Sequence, residues 1–375
     1  MTAPSLADAA LGTGARIGRY FSLVSVLPAL FLSAWTVVLI ASGAWSGAPD
    51  PKQLPSELGR IGLGGYAWIL LATIVIALFL HPLQLGMTRV LEGYWGSSRI
   101  ATILLRLRIT HYRRKKAQLN KRQTRLDRQR ERVLRRILVR NYLTEVANSP
   151  DTAKDPSAWN PEEFRREVLK LLPNKAAHAA SGAHAALASI PHRLDRFPVA
   201  SRMMPTRLGN ALRSAEDRIG RQYGLDAIRT APHIALLAPE LHLSYLQDTR
   251  QQMDTSIRLC VVALLATLES VIALLTDRWW LLIALGPYLL TWIAYSAAVA
   301  GADEYMGMVR TVLDLNRFKL YEELHVKHPE NSEEERKNNE RLMELLNGKR
   351  EFVEYQAPAG TPSTGAAPPT PPGTP

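Results

Sequence analysis

The chain has 375 residues and a formal net charge of +12, from 46 Lys and Arg against 34 Asp and Glu. Hydrophobic residues make up 47 % of it and are gathered into blocks, which is typical of a membrane protein with polar extramembrane parts and argues against a purely water-soluble globule. The single cysteine, Cys260, excludes an intramolecular disulfide and a metal site built from several cysteines.

Four apolar segments are long enough to cross a bilayer, which takes about 20 mostly apolar residues. The predicted spans are residues 20–45, 61–82, 256–276 and 279–302. Arg16 and Arg19 precede the first span and give it the look of a secretory signal. Residues 20–49 carry no charge, however, whereas a cleavable signal has an apolar core of only about 7–15 residues, so we predict a retained signal anchor.

The basic residues that flank these spans predict the orientation, because Lys and Arg near a span are retained on the cytoplasmic side. Most of the flanking Lys and Arg lie on one side of the predicted bilayer. We therefore expect a multi-pass protein of a bacterial plasma membrane with both termini in the cytoplasm. Its cytoplasmic parts are an N-terminal tail, a basic helical domain and a C-terminal region: residues 1–19, 83–255 and 303–375. The outer loop, residues 46–60, is too short for an extracellular ligand-binding domain.

Nearly all of the net positive charge lies in one segment. Residues 99–140 contain sixteen Lys and Arg against Asp127 and Glu131, which gives this segment +14 and leaves −2 for the rest of the chain. No proline interrupts residues 99–147, so we predict one long helix. Apolar residues occupy every seventh position of it: Leu105, Tyr112, Leu119, Leu126 and Val133. A coiled coil needs two apolar positions in each heptad, and this helix supplies one of them. Pairing with a partner helix in a coiled coil is therefore an open alternative.

Three interpretations of the basic helix compete: contact with anionic lipid, binding of nucleic acid, and a solvated structural face. The lipid interpretation is favoured, because basic residues next to a span contribute about 1 kcal/mol each to attraction by an anionic leaflet. Nucleic acid is not expected, since stacking on bases would need more aromatic residues than this helix offers. The candidate lipid contacts are Arg106, Arg108, Arg113, Arg114, Lys115 and Lys116.

The remaining cytoplasmic sequence also predicts helices. Asn160 and Pro161 have the residue types of a helix start, and residues 205–226 carry an amphipathic stripe. Within residues 303–355, the charged stretch ENSEEERKNNERLMELLNGKREF predicts a mostly solvated helix. Residues 356–375 are rich in proline and lack packing residues, so they predict a disordered tail.

Three short motifs resemble an uncharacterised family of multi-span membrane proteins of actinobacteria. They are LEGYWG at residues 91–96, PTRLGNALRSAEDRIGRQYGLD at residues 205–226 and LDLNRFKLYEEL at residues 313–324. The resemblance implies a helical multi-span topology and a bacterial origin, and it transfers no catalytic residue. Asn316 stands where the family pattern leads us to expect histidine.

Glu269 interrupts the third span, and a carboxyl group in hydrocarbon is costly unless it is paired or protonated. Counting about 1.5 Å per residue from the inner ends of the spans places four polar residues near its depth: Ser33, Thr73, Tyr288 and Thr291. His81 lies roughly 10 Å closer to the cytoplasm by the same count, which argues against a direct relay. The carboxyl group is either a proton or cation site in a conduction path or a protonated group hydrogen-bonded across the bundle, and the second interpretation is favoured.

Small residues in the fourth span recur four apart and predict close helix packing in a homo-oligomer: Ser296, Ala297, Ala300 and Gly301. The sequence has no phosphate-binding glycine loop, GxSxG elbow, HExxH motif or cysteine cluster. We therefore expect a non-enzymatic protein with no cofactor or metal, whose partners are anionic membrane lipids and an unidentified cytoplasmic protein.

Together these observations predict an all-α integral membrane protein with four transmembrane helices and a helical cytoplasmic domain continuous with them. Its expected role is that of a membrane-anchored scaffold or interaction module at the inner leaflet. The alternative is a small oligomeric channel or transporter that uses the intramembrane carboxyl group of Glu269.

Overall fold

The computed structural model describes residues 26–148, 190–191, 193–275 and 279–356. In this part of the chain the fold is all-α and contains an isolated β-bridge between Val326 and Tyr355. The helices are α1 (Val26–Ala41), α2 (Leu54–Arg60), α3 (Leu63–Glu92), α4 (Arg99–Asn148), α5 (Arg207–Arg218), α6 (Ala227–Leu237), α7 (Glu240–Ala273), α8 (Leu285–Glu323) and α9 (Ser332–Leu346). The predicted N-terminal tail, the predicted helix after Asn160 and the predicted proline-rich tail beyond residue 356 lie outside the described residues.

Among the described residues, three helical segments are long and apolar enough to cross a membrane: α3, α7, and α8 together with the short 3-10 turn Trp280–Ala284 that precedes it. They correspond to the second, third and fourth predicted spans, and they support a multi-pass membrane protein. The first predicted span is described only from Val26, as a shorter apolar helix. The total of four spans and the orientation in the membrane therefore remain predictions.

The helices of the predicted spans continue well beyond their apolar stretches. The 30-residue α3 passes through Pro82, although proline cannot donate the backbone hydrogen bond of a helix interior, and it ends at Gly93. Gly93 has φ 109°, a left-handed conformation that favours glycine at a helix end. The 34-residue α7 begins at Glu240, before its apolar part, and the 39-residue α8 continues to Glu323. The predicted continuity between spans and polar helices is confirmed for these three elements.

The chain divides into two compact units, Met1–Ala215 with Gln252–Asp303, and Glu216–Gln251 with Glu304–Pro375. In the first unit the apolar helices bury small residues, among them Ala263 and Ala266 on α7 and Ala298 and Ala302 on α8. Small side chains let helix backbones approach closely, which is how helices associate in a membrane.

The outer faces of the apolar helices in the first unit carry large hydrophobic side chains. Leu78 and Phe79 on α3 and Trp292 on α8 are exposed, each by more than half of its surface. Water would make such a surface unfavourable, whereas lipid chains would cover it, so this distribution is expected of helices that face a bilayer.

The second unit has a core of its own, formed by the buried faces of α6, α8 and α9. Leu313 and Leu320 on α8 and Leu342 on α9 are almost completely buried there. Most residues of α9 are exposed or half-buried, as predicted for a mostly solvated helix, whereas Glu335 and Asn339 are also buried. Both of these buried polar side chains have hydrogen-bond partners inside the unit.

Candidate functional site

The first two motifs of the chain meet at a joint between α3 and the start of α5. The Thr206 hydroxyl donates to the Glu92 carbonyl oxygen at 2.7 Å. A Cβ at Gly93 would overlap the ring of Pro205, and a Cβ at Gly209 would overlap the Glu92 carbonyl oxygen. Glycine is therefore required on both sides for the backbones to approach this closely. We refer to Glu92, Gly93, Pro205, Thr206 and Gly209 as the α3–α5 joint.

The N-terminus of α5 is capped by a residue of the apolar part of α8. The hydroxyl oxygen of Tyr295 accepts hydrogen bonds from the backbone N–H groups of Arg207 at 3.1 Å and Leu208 at 3.3 Å. The first N–H groups of a helix lack partners within the helix, so this hydroxyl satisfies two of them. Tyr295 thereby fixes the start of α5 against α8.

Three of the six predicted lipid contacts on α4 donate hydrogen bonds to the protein's own backbone. Arg108 donates to the Pro205 carbonyl oxygen at 3.3 Å, Arg113 donates to that of Ala200 at 3.2 Å, and Lys116 donates to that of Pro198 at 2.8 Å. These bonds hold residues 198–205 along the first half of α4. Of the other three, Arg106 and Arg114 are exposed and Lys115 lines a cavity.

The heptad positions of α4 are partly covered by the same chain. Tyr112 and Leu119 are buried, and the ring of Phe197 lies 6.3 Å from that of Tyr112 between centroids. Leu105 and Leu126 are half-buried, and the side chain of Val133 lies outside the described part. The middle of the predicted seam therefore packs within the first unit, which leaves less of it for a partner helix.

A cavity of about 310 Å³ lies in the first unit beside this contact. It is lined by residues of α4, of the segment before residue 200, of α5 and of α8: Tyr112, Lys115, Leu119, Arg193, Arg196, Phe197, Arg207, Asn210 and Val299. Burial raises the pKa of Tyr112 above its ordinary value of 10.0, against the opposing effect of the Arg108 guanidinium, so its hydroxyl stays protonated at neutral pH. We call this space the basic cavity.

The first two turns of α4 carry an apolar stripe that nothing in the described chain covers. Its members are spaced as one helix face and are each at least 48 % exposed: Ile100, Ile103, Leu104 and Leu107. The exposed side chains of Arg99 and Arg106 flank them. We call these four apolar residues the α4 stripe.

Glu269 lies next to α1, but the structure does not assemble the four predicted neighbours around it. The Thr36 hydroxyl donates to the Glu269 carboxyl group at 3.0 Å, and the Trp35 indole donates to the Ser270 hydroxyl at 2.8 Å. Both bonds join α1 to α7 through residues that the depth count did not select.

The four predicted neighbours of Glu269 have other environments. The hydroxyl groups of Thr73 and Thr291 donate to carbonyl groups of their own helices, those of Ile69 and Pro287. Tyr288 is exposed on the outer face, and Ser33 is buried without a hydrogen-bond partner among the described residues. The predicted polar site around Glu269 is therefore reduced to a contact with α1.

A second polar contact in the apolar bundle was missed by the sequence reasoning. Arg258, buried on α7, donates through Nε to the Gln84 side-chain oxygen on α3, and Gln84 Nε2 lies 3.4 Å from the Asp254 carbonyl oxygen. An arginine in the third predicted span was the signal that could have indicated this contact, since such a group needs a partner.

The small residues of the fourth predicted span are divided between two environments. A Cβ at Gly301 would lie 3.2 Å from the Cα of Met253, so Gly301 serves the close approach of α8 to α7 within the chain. Ala297 and Ala300 are exposed and remain available to the predicted homo-oligomer. Ser296 is half-buried.

The third motif lies in the second unit, where its Asn316 and Tyr321 side chains are buried. The Tyr321 hydroxyl donates to the Asn339 side-chain oxygen at 2.7 Å, and Asn339 Nδ2 donates to the Tyr223 carbonyl oxygen at 2.8 Å. Arg317 lies over the ring of Tyr223, 4.2 Å from its centroid, and pairs with Glu335 at 2.7 Å. We call Tyr223, Arg317, Tyr321, Glu335 and Asn339 the Asn339 network.

Asn316, the position where the resemblance led us to expect histidine, is buried and has a histidine partner. Its Nδ2 lies 3.0 Å from Nδ1 of His242 and donates to the Val312 carbonyl oxygen at 2.8 Å. His242 belongs to α7, so this contact joins α7 to α8 in the second unit.

Comparison with known proteins gives no indication of function, so a proposal rests on the geometry of the structure. No protein-family model, no curated protein and no solved structure matches this chain.

Proposed function

We propose that the protein is a non-enzymatic, multi-pass membrane protein that acts as a scaffold or interaction module at an anionic inner leaflet. The observation that supports this proposal most directly is the α4 stripe. In the proposed arrangement both termini lie in the cytoplasm, the first turns of α4 lie in the headgroup region, and the rest of α4 faces the cytoplasm.

The energetics of the α4 stripe favour a lipid surface over water. Fully burying a side chain such as Leu or Ile contributes about 1.5–3 kcal/mol, so four exposed members represent a substantial cost in water. A helix with such a face and basic flanks is typical of segments that lie in the membrane interface. Arg99 and Arg106 would add electrostatic attraction to anionic headgroups of about 1 kcal/mol each.

The position and the charge of the α4 stripe favour a bilayer over a second copy of the chain as the surface that covers it. The stripe begins at Ile100, eight residues after the last residue of α3, whose exposed Val90 still faces outward. A second copy packed on the same face would bring the flanking arginines of the two chains together, which is unfavourable. An anionic leaflet offers the opposite charge at the same place.

The remainder of α4 supports the scaffold part of the proposal. The helix has 50 residues, which corresponds to a length of about 75 Å at 1.5 Å per residue. Beyond the contacts with residues 198–205 it presents exposed cationic side chains: Arg122, Arg125, Arg128, Arg132 and Arg136. Such a surface suits an acidic partner, either a protein segment or lipid.

A labelling experiment tests the position of the α4 stripe. In a Cys260→Ala background, a spin label is placed at Ile103→Cys and, as a control, at Gln118→Cys, an exposed polar position of the same helix. In vesicles with phosphatidylglycerol we expect the label at 103 to be accessible to oxygen and protected from a water-soluble relaxant, and the label at 118 to show the reverse.

Two results of this experiment would contradict the proposal. If both labels are equally accessible to the aqueous relaxant, the stripe is solvated. If the label at 103 is immobilised and inaccessible to both reagents, a protein surface covers the stripe instead of lipid.

A channel or transporter that uses Glu269 is the second candidate. Its supporting observation is an ionisable group in an apolar helix, whose carboxyl group accepts a hydrogen bond from the Thr36 hydroxyl. A proton flux in liposomes that is present in the wild type and lost in Glu269→Gln would favour this candidate. Absence of flux in the wild type, or equal flux in the variant, would reject it.

A further inference from the structure

The basic cavity carries positive charge that the described residues neutralise only in part. Four cationic side chains line it: Lys115, Arg193, Arg196 and Arg207. Arg196 pairs with Asp303 at 2.6 Å. For the other three, the structure shows no carboxylate partner among the described residues, in contrast to Arg113 and Lys116 nearby, whose charges are directed at backbone carbonyl groups.

We propose that the basic cavity binds the phosphate group of a phosphate ester. Three arginines and a lysine that converge on one space match the several oxygens and the negative charge of a phosphate, which guanidinium groups bind in a bidentate manner. The inference concerns a site that the proposed scaffold function does not require.

Besides its four cationic side chains, the cavity contains a neutral hydrogen-bond donor, the Tyr112 hydroxyl. Its hydroxyl oxygen accepts a hydrogen bond from Arg108 at 3.3 Å, which leaves the hydroxyl proton available to an acceptor. The side chain of Asn210 is occupied, since it bonds the backbone of Met204 and Thr206. Tyr112 is therefore the neutral group of the lining that we expect to contact the ligand.

The size and position of the cavity restrict the ligand. A volume of about 310 Å³ is at the lower end of the range for small-molecule pockets, about 300–1,000 Å³, and suits a phosphate with a small headgroup. Val299 lines the cavity, and the uncharged stretch of α8 ends at Ala302, directly before Asp303. The cavity thus lies at the level where α8 leaves the apolar layer, which is also the level of phospholipid phosphates.

The phosphate group can belong to an anionic phospholipid or to a soluble phosphate ester. Binding measurements on the full-length protein in detergent distinguish these two ligands. The probes are dioctanoyl phosphatidic acid, glycerol 3-phosphate and, as a phosphate-free lipid, dioctanoylglycerol. The test variant is Lys115→Gln with Arg193→Gln. The charge-matched control is Lys121→Gln with Arg125→Gln, two exposed α4 positions outside the cavity.

We expect at least one phosphate probe to bind and dioctanoylglycerol not to bind. The test variant should bind that probe about tenfold more weakly or worse, a loss of about 1.4 kcal/mol or more, while the control binds like the wild type. Binding of phosphatidic acid alone identifies a lipid ligand, and comparable binding of glycerol 3-phosphate identifies a soluble one. Either result supports the site.

The proposal is overturned if neither phosphate probe binds, or if the test variant and the control bind equally well. Thermal unfolding of both variants checks the fold, and we expect it to be unchanged because Lys115 and Arg193 make no ion pair within the described chain. The α4 stripe does not line the cavity, so Leu104→Ser should leave phosphate binding unchanged. Because the two proposals are tested at different residues, the scaffold proposal can fail while the cavity proposal holds, and the reverse.

Discussion

The α3–α5 joint and the Asn339 network hold their helices together in different ways. In the joint, glycines bring backbones into contact and a threonine hydroxyl bonds a backbone carbonyl group. In the network, side chains bond one another in a buried core. The joint is therefore sensitive to added volume, whereas the network is sensitive to the loss of a polar atom. The two regions should respond differently to small substitutions.

The largest effect is expected at the joint. Gly209→Ala would place a methyl group on the Glu92 carbonyl oxygen, and since that obstacle is backbone, the two helices must separate. Forced overpacking costs about 1–3 kcal/mol and occasionally more, and here we expect the upper end or loss of folded protein. Size-exclusion chromatography of the detergent-solubilised protein and its thermal midpoint provide the measurement.

Gly86→Ala is the matched control for this prediction. A Cβ at Gly86 on α3 would meet no atom within 4 Å, so alanine should be neutral or stabilise the helix by about 0.5–1 kcal/mol. Equal behaviour of the two variants would show that the close approach at Gly209 is not required for the fold.

The next effect is expected in the Asn339 network. Asn339→Ala removes the acceptor of Tyr321 and the donor to the Tyr223 carbonyl group, and leaves both groups buried without these bonds. Such a loss costs about 1–3 kcal/mol. The measurement is the free energy of unfolding, with Asn338→Ala as control because the neighbouring asparagine is only half-buried. A difference below about 0.5 kcal/mol between the variants would contradict the role of the network.

Tyr321 adds a pH dependence to the same region. Burial, followed by the nearby Glu335, raises the pKa of Tyr321 above its ordinary value of 10.0, so the folded state keeps the proton at a pH where the unfolded state releases it. Stability is complete below pH 10 and falls above it, by up to about 1.4 kcal/mol per pH unit. Tyr321→Phe should lower stability at pH 8 by about 1 kcal/mol and reduce its decline above pH 10.

The exposed Tyr355 serves as control for this pH profile. Tyr355→Phe should leave both the stability at pH 8 and the alkaline decline unchanged. An alkaline decline that is equally steep in Tyr321→Phe and the wild type would assign the effect to other groups.

Some features of the fold could be predicted because they depend on local sequence. Runs of apolar residues indicated the helices of three spans, and the lack of proline in residues 99–147 indicated the long helix α4. Long-range contacts could not be predicted in this way. The basic cavity gathers residues from four separate segments, and nothing in the basic helix alone distinguishes Lys115, which lines it, from Lys116, which bonds a carbonyl group.

The neighbours of Glu269 show a second reason for such errors. A count of residues from the span ends estimates depth along a helix, but it does not determine which side chain faces which helix. Thr36, one turn from the predicted Ser33, makes the contact, while Tyr288 at a similar predicted depth faces outward. The burial of Asn339 was missed because polar residues indicate solvent unless their partners are known.

The smallest effect is expected for the contact between α1 and α7, which is polar like the Asn339 network but lies among apolar helices. Thr36→Val removes the hydrogen bond to Glu269 and keeps the shape of the side chain. Hydrogen bonds between membrane helices contribute about 0.6 kcal/mol on average, so we expect a loss of that order. Thr291→Val is the control, since Thr291 bonds only the carbonyl group of Pro287 in its own helix. A loss for Thr36→Val that matches the loss for Asn339→Ala would show that a polar contact among apolar helices is as strong as one in the polar core.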